Sequence, residues 1–478
     1  MNTISSSNAL SKKQPKALIP LCATEMWERF GFYIIQGLLV LFLKFRFGLS
    51  DAHASLITGV YGALLYVAPL VGGYYACNYL GFRYTIVMGG CFQLIGYLLL
   101  STLSTHMIYW GLALIILGNG FLKPNIASYL GEFYIDNDPR RHSGFTYYYM
   151  GMNLGAFIST LIAGFIQRDL GWHICFATAG LGMLIGVLVF TSRAKVFGTK
   201  GLPVAKDLIK NSRLKFITAT LAVCIAITVV CYGLLTHPQI GNYILLVIAV
   251  FVLIYLVLLS LKYHGEQRRN LIALIWLILY AVIFWAFFFL MYTVINLFLK
   301  RSVDRELFGT MIPPLAFLSL EPAFILILGW PLAKLWQYLH HKTNNPNIAL
   351  KFFFALLAMS MAMWLLTVAI RYHNPQLLVL PIFMVGFFLL YTLGEMLLSP
   401  NLLSAVTELS PPKVMGLMMG VQYMAIGFGN SIMGLLSQIA AIPNNMTSKV
   451  AINQIYSHAF HVYALMCLGT AIVILISV

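Results

Sequence analysis

Charge is scarce in this chain. Only 9% of its 478 residues are Asp, Glu, Lys or Arg, against 60% apolar residues that include 33 Phe, 26 Tyr and 8 Trp. Water cannot keep such a composition dispersed as a folded monomer, so the bilayer is its solvent. Acidic residues are the scarcest, 14 against 30 Lys and Arg, which leaves a formal charge of +16. In a polar protein that excess would point to nucleic acid. Here the basic residues fall in short loops between apolar runs, where positive-inside bias accounts for them, and no nucleic-acid partner is expected. The seven cysteines (Cys22, Cys77, Cys91, Cys175, Cys224, Cys231 and Cys467) form no CxxC pair and lie within or beside apolar segments. That excludes a cysteine metal centre or a disulfide framework. No spacing of nucleophile, histidine and acid is visible, so an enzyme is not expected. The polar first twenty residues, with Lys12, Lys13 and Lys16, lack a small-residue cleavage site and read as a retained tail rather than a signal peptide.

What is present is apolar sequence in lengths of roughly 20 residues, the length a spanning helix needs. Fourteen spans are expected, near 24–46, 55–77, 84–104, 107–130, 144–167, 172–191, 215–235, 240–261, 271–299, 311–335, 349–370, 376–407, 413–440 and 457–477. With the N-terminus inside, loops on the cytoplasmic side carry 20 Lys and Arg and the outer loops 8, which places both termini in the cytoplasm. The connector at 192–214 is the most basic, and its middle, GLPVAKDLIKNSRLK, can form a short amphipathic helix on anionic lipid. Between Lys215 and Lys262 there is no Asp, Glu, Lys or Arg. That stretch, 215–261, suits a lipid-facing hairpin inserted between a six-helix bundle at 24–191 and another at 271–478, after an N-terminal tail at 1–23. The fold class is all-α, with 14 transmembrane helices, and a functional monomer surrounded by lipid is expected.

An ionisable group at the centre of a span costs about 2.5–3.5 kcal/mol and is kept where it has a partner, a cavity or a task. The first span opens TEMWERFGFY, where Glu25, Glu28 and Arg29 share one helix face that Phe32 and Tyr33 continue. Two carboxylates around one guanidinium are net acidic: either one holds an exchangeable proton, or the group is a static knot between helices. Lys123, in GNGFLKPNIASY beside the helix-kinking Pro124, either alternates between a first-span glutamate and a substrate carboxylate or is tied to the glutamate permanently. Glu395, in YTLGEMLLSP, suits a substrate amine or a hydrogen bond within the bundle, and Glu321 precedes Pro322 either on the pathway or at a bend facing water. Asn153 can donate to and accept from a peptide bond. Tyr33, Tyr66, Trp285, Phe288 and Phe289 are candidates for a cavity wall. Cationic and anionic groups on opposite halves match a short zwitterion.

The chain resembles the proton-coupled oligopeptide transporter family, a branch of the major facilitator superfamily, over nearly its whole length. EMWERFGFY fits the family pattern ExxERFxYY except at Phe32. GNGFLKPN, GMNLGAF, GWHICF, FWAFF and GEMLLSPNLLSAVTELSP follow in family order. The resemblance implies two six-helix bundles with a bacterial inserted hairpin in the inner membrane, and uptake of di- and tripeptides with protons, no cofactor beyond the coupling proton being needed. By motif, Glu25, Glu28 and Arg29 resemble the proton-linked cluster, Lys123 its partner or the peptide-carboxylate contact, Asn153 a backbone contact and Glu395 the amine-recognising carboxylate. Tyr33, Tyr66, Trp285 and Ser399 match pocket-lining positions.

The departures from the family are specific. Gln36 stands where many members have arginine, Phe289 and Leu290 where many have Glu-Gln, Glu321 where asparagine is common, and Gln422 where tryptophan is frequent. They imply a more negative pocket favouring dipeptides or cationic peptides, and a proton mechanism resting more on Glu25 and Glu28. Cys77 and Asn78 replace the Asp-Arg of the superfamily loop GGxxADRxxG, which implies a weakened cytoplasmic latch. Two other functions fit this sequence: the same fold carrying nitrate or an amine-containing metabolite, and a peptide-binding membrane sensor without turnover.

Overall fold

The computed structural model describes residues 13–135, 138–203, 213–342 and 347–476. Its long elements are helices, because only a helix or a closed barrel lets a lipid-facing segment satisfy its own backbone. Eleven stretches among the described residues are long and apolar enough to cross a membrane. The protein is an all-α, multi-pass membrane protein. Its one named sheet among those residues is a loop hairpin of two-residue strands, β1 (Glu306–Leu307) and β2 (Thr310–Met311).

Helix α1 (Leu18–Phe47) ends at Gly48, whose φ of 69° lets its N–H return to the carbonyls of Leu43 and Lys44. Ser50 then caps α2 (Asp51–Tyr75) by accepting the His53 N–H at 3.2 Å. A π turn, Ala76–Leu80, leads into α3 (Gly81–Ser101), followed by α4 (Thr105–Gly131). Helix α5 (Arg140–Ser192) has 53 residues. A straight helix of that size would be about 80 Å long against a hydrocarbon core of about 30 Å. Gly171, at φ 86° and ψ 176°, breaks it into two limbs.

The chain continues through α6 (Arg213–Thr236), α7 (Pro238–Ser260), α8 (Gly265–Phe288), α9 (Val294–Ser302), α10 (Pro314–Leu318) and α11 (Leu320–Lys342). Then come α12 (Ile348–Ala369), α13 (Ile382–Leu409), α14 (Met415–Leu436) and α15 (Lys449–Ile476). The amphipathic helix expected in the middle of the connector falls at 204–212, outside the described residues.

Two expected spans change shape. The span at 271–299 is broken by a tight turn at Phe289–Tyr292 and by Thr293, at φ −122° and ψ −89°, whose hydroxyl meets that of Ser437 at 3.0 Å. The span expected from 376 starts only at Ile382, because the Asn374 side chain accepts the Gln376 and Leu378 N–H groups, each at 3.0 Å, and holds a turn there.

Packing fixes where the polar side chains land. Gly89 and Gly96 of α3 face Gly118 and Gly111 of α4, and a Cβ on any of the four would come within 2.5–2.8 Å of the opposing carbonyl oxygen. Without those side chains the two backbones touch, which is how helices gain contact in lipid. Helix α1 packs along α5, α2 along α14, and α13 and α15 against α12. The pair α6 and α7 lies against α2 and α4 and turns large apolar residues such as Ile225 and Phe251 outward.

Candidate functional site: two charged faces

The first face is built on α1. Glu25, Glu28 and Arg29 are 0–2% exposed. Arg29 grips Glu28 with two nitrogens, Nη2 donating to Oε1 at 2.7 Å and Nε to Oε2, and its Nε stands 3.6 Å from Glu25 Oε1. The close α3–α4 packing delivers two amides to this knot. Gln93 donates to Glu28 Oε1 at 3.2 Å, and Asn119, fixed to the Leu65 carbonyl at 2.8 Å, accepts from Arg29 at 3.3 Å. Among the described residues the buried Glu25 Oε2 has no hydrogen-bond partner, and Tyr148 of α5 lies beside the carboxyl.

Lys123 joins neither glutamate in an ion pair among the described residues. Its Nζ instead sits over two rings, 4.6 Å from the centre of Tyr66 and 5.6 Å from that of Phe32. Arg29 shares the Phe32 ring from 4.2 Å. The position where the family pattern has tyrosine thus supplies a π face to both cations.

The second face comes from the other half of the chain. Trp285 and Phe288 close α8 and Phe289 begins its terminal turn. Trp285 stacks on Phe289 at 5.7 Å, Phe288 stacks on Tyr391 at 4.7 Å, and Tyr66 reaches across to Phe289 at 6.1 Å. An aromatic chain therefore runs from Lys123 to the second face. There the carboxyls of Glu321, on α11, and Glu395, on α13, meet. Tyr33 lies between the two faces, within electrostatic reach of Arg29, Glu321 and Glu395. The Trp285 Nε1, Gln36 Oε1, Gln422 Oε1 and Glu395 Oε2 atoms are buried and lack hydrogen-bond partners among the described residues.

The remaining expected residues are less committed. Asn153 donates to the Tyr149 carbonyl of its own helix at 2.9 Å. Ser399 is half-buried, one turn beyond Glu395. Sequence reasoning passed over Gln93, Asn119, Tyr148 and Tyr391. Asn119 carried a signal, since it precedes Lys123 by four residues and so shares its helix face.

The two ends of the bundle on either side of these faces differ. At one, Asp51 receives Arg301 at 2.5 and 2.9 Å, Lys44 at 3.0 Å and the Ile442 N–H at 3.1 Å, while Tyr456 contacts Arg301 at 3.0 Å. Asn296 donates to the Gly37 carbonyl at 2.5 Å just inside this latch. Asp51 was also missed, although it is the only acidic residue between Glu28 and Glu132. At the other end Leu70, Tyr74, Tyr149, Leu403 and Tyr423 are exposed. Near Cys77 and Asn78, Arg83 bonds the Tyr129 hydroxyl at 3.0 Å and the carbonyls of Ala194 and Gly198 at 3.0 and 2.9 Å, which ties the start of the connector to this end.

With this geometry in place, the sequence between residues 83 and 455 matches the model of the POT family. The chain belongs to that family. Dipeptide and tripeptide permease A of Chromobacterium violaceum is 32% identical over 463 residues, covering 96% of this chain and 91% of the permease. A crystal structure of the peptide transporter POT in complex with sulfate superposes with a TM-score of 0.84 at 28% identity, covering 97% of this chain and 94% of that one. The tetrameric structure of PepTSo2 superposes equally well, with a TM-score of 0.84 at 26% identity, over 96% of this chain and 97% of that one.

PepTSo2 corrects one expectation: a structure that superposes on nearly all of this chain is tetrameric, so a functional monomer no longer follows from the fold. POT-family membership makes this chain a multi-pass transport protein of the bacterial inner membrane rather than an enzyme.

Proposed function

We propose that this chain carries di- and tripeptides into the cytoplasm together with protons, by alternating access around the cavity between its two charged faces. The observation that carries this reading is Lys123, a cation in a membrane helix that sits over rings and, among the described residues, in no ion pair, set against the carboxyls of Glu395 and Glu321 that meet on the second face. Charges of opposite sign on the two faces suit a molecule bearing a carboxylate at one end and an ammonium at the other.

Charge counting on the first face gives the coupling. Glu25, Glu28, Arg29 and Lys123 sum to zero when all are ionised. One proton on Glu25, the carboxylate with a free oxygen, raises the sum to +1, which is what an incoming peptide carboxylate neutralises. Arg29 keeps Glu28 throughout, so the guanidinium rather than the lysine holds the knot together. The Glu395 carboxylate takes the amine, Asn153 faces the peptide bond, and Tyr33, Tyr66, Trp285, Phe288, Phe289 and Gln36 wall the space, with Ser399 at its rim.

The Asp51 latch shuts the outer end in this state, and the exposed end faces the cytoplasm, where both termini lie. Fourteen spans follow once the break at Gly171 and the bend before Gly81 each divide a long stretch and α14 joins the count. The N-terminal bundle runs over 24–191 and the C-terminal bundle over 271–478, with 215–261 as the inserted hairpin. Rocking of the bundles breaks the latch and closes the other end, and the membrane potential contributes about 2.3 kcal/mol per charge per 100 mV.

Uptake of labelled Ala-Ala into proteoliposomes under an imposed inward proton gradient tests this reading. Accumulation that collapses with a protonophore and is competed by tri-alanine but not by nitrate is expected. Gradient-independent uptake, or competition by nitrate alone, overturns it.

A further inference from the structure

The second face holds more negative charge than one amine requires. Glu321 is 7% exposed, and its carboxyl meets that of Glu395 from the facing helix. Glu395 Oε2 has no donor among the described residues, and two ionised carboxylates have none to give each other. A single proton between them removes the repulsion and supplies the missing donor.

Every neighbouring element leaves this arrangement uncompensated. The groups facing the pair are phenols: Tyr33 of α1, Tyr66 of α2, Tyr149 of α5, Tyr292 in the turn after α8, and Tyr391 of α13. Tyr391 is 0% exposed and its hydroxyl also lacks a partner among the described residues. Helices α10 and α14 contain no charged residue, and α8 carries Glu266, Arg268 and Arg269 at its far end. The ionised groups of α5 lie at its start around Arg140 and just before its break at Gly171 around Arg168, Lys351 of α12 bonds Asn401 at 3.0 Å, and Lys334 of α11 lies over Trp330.

We propose that Glu321 and Glu395 hold one shared proton while the cavity is empty, and that a ligand bringing two ammonium groups to this face displaces it. The carboxyl O–H bond breaks, the proton passes to cavity water, and two carboxylates then face two cations. A ligand with a single ammonium leaves the proton in place. Resting on the peptide reading above, this assigns Glu321 as a specificity residue for peptides whose first residue has a lysyl-type side chain. It also makes the proton count depend on ligand charge, so that a zwitterionic and a dicationic peptide move the same net charge per cycle.

The test measures protons released on binding by the purified full-length protein, using calorimetry in two buffers of different ionisation enthalpy with Ala-Ala and with Lys-Ala. Infrared difference spectra read the protonated carboxyl in parallel. Lys-Ala is expected to release about one proton more than Ala-Ala and to bleach a protonated-carboxyl band. Both differences disappear in Glu321→Gln and return in Glu321→Asp. Equal release for the two ligands in the wild type, or a difference that persists in a monodisperse Glu321→Gln variant, overturns the proposal. If the wild type binds neither peptide, the peptide reading fails, and a pH titration of the infrared band still decides on the pair. A protonated carboxyl at neutral pH in the wild type but not in Glu321→Gln supports the shared proton, and its absence from the wild type refutes it.

Discussion

The two acidic sites of this transporter are built in opposite ways. On α1, Arg29 stands between Glu25 and Glu28, and neutral amides from α3 and α4 fix its geometry. On α11 and α13, Glu321 and Glu395 meet with no cation at hand among the described residues. The first site carries its counter-charge with it, so in the proposed cycle the quantity free to change there is its proton count. In that cycle the second leaves the counter-charge to the ligand. A carboxylate's role in a membrane cavity is thus set less by its burial, which the two sites share, than by whether the protein or the cargo supplies the cation.

Substitutions that separate driving from binding break the comparison most sharply. In Glu28→Gln, Arg29 loses its two-nitrogen partner and Glu25 is drawn into the pair, so no carboxylate remains to exchange a proton. Gradient-driven uptake is expected to fall by about 100-fold or more, from the 2–5 kcal/mol cost of removing one partner of a buried charge pair. Exchange of labelled for unlabelled dipeptide, which needs no net proton movement, persists. Lys123→Ala, which removes the proposed contact for the peptide carboxylate, is expected to lower both.

Asp51→Asn is expected to act at the closed end instead. It leaves Arg301 and Lys44 without their shared anion, and a buried pair broken on one side costs about 3–5 kcal/mol. The labelling rate of a cysteine placed at the buried Leu43, read with a membrane-impermeant maleimide over the background of the native cysteines, rises by about 100-fold. An unchanged rate would show that the latch does not hold the end shut. For Glu395→Gln the effect is smaller and falls on binding: driven uptake and exchange drop together by about 30-fold, because a hydrogen bond to a charged group contributes about 1.5–3 kcal/mol. Loss of driven uptake alone would make the two acidic sites equivalent and end the contrast.

How much of this was legible depends on the range of the interaction. The Glu25, Glu28 and Arg29 knot follows from i, i+3 and i+4 spacing on one helix, and the structure shows those three side chains in contact. The break at Gly171 falls between two spans that hydropathy already separates. The break at Phe289–Thr293 has no such mark, since it lies in an unbroken apolar run free of glycine and proline. Asp51 and Arg301 lie 250 positions apart, and no local periodicity joins them. Glu321 and Glu395 were each recognisable as costly, but their meeting depends on how α11 packs on α13. The free Lys123 was the less visible half of a choice. Its sequence allowed a fixed tie to a glutamate, and only the two rings around its ammonium distinguish the arrangement seen here.

Asn119 offers the finest test of the contrast, because it carries no charge and touches no cargo. Its side chain bridges the Leu65 carbonyl and Arg29, so Asn119→Ala removes one acceptor from the guanidinium and one donor from α2 while leaving both glutamates in place. A hydrogen bond to a charged group contributes about 1.5–3 kcal/mol, and this one is long at 3.3 Å, so a loss of about tenfold in driven uptake is expected, with the peptide concentration for half-maximal exchange unchanged. A loosened guanidinium swings toward Glu25, whose free oxygen is the nearest unsatisfied acceptor, and the carboxylate that should take the proton becomes harder to protonate. The pH at which driven uptake is half-maximal therefore moves down. A change in half-maximal peptide concentration without that pH shift would place Asn119 with the binding face instead.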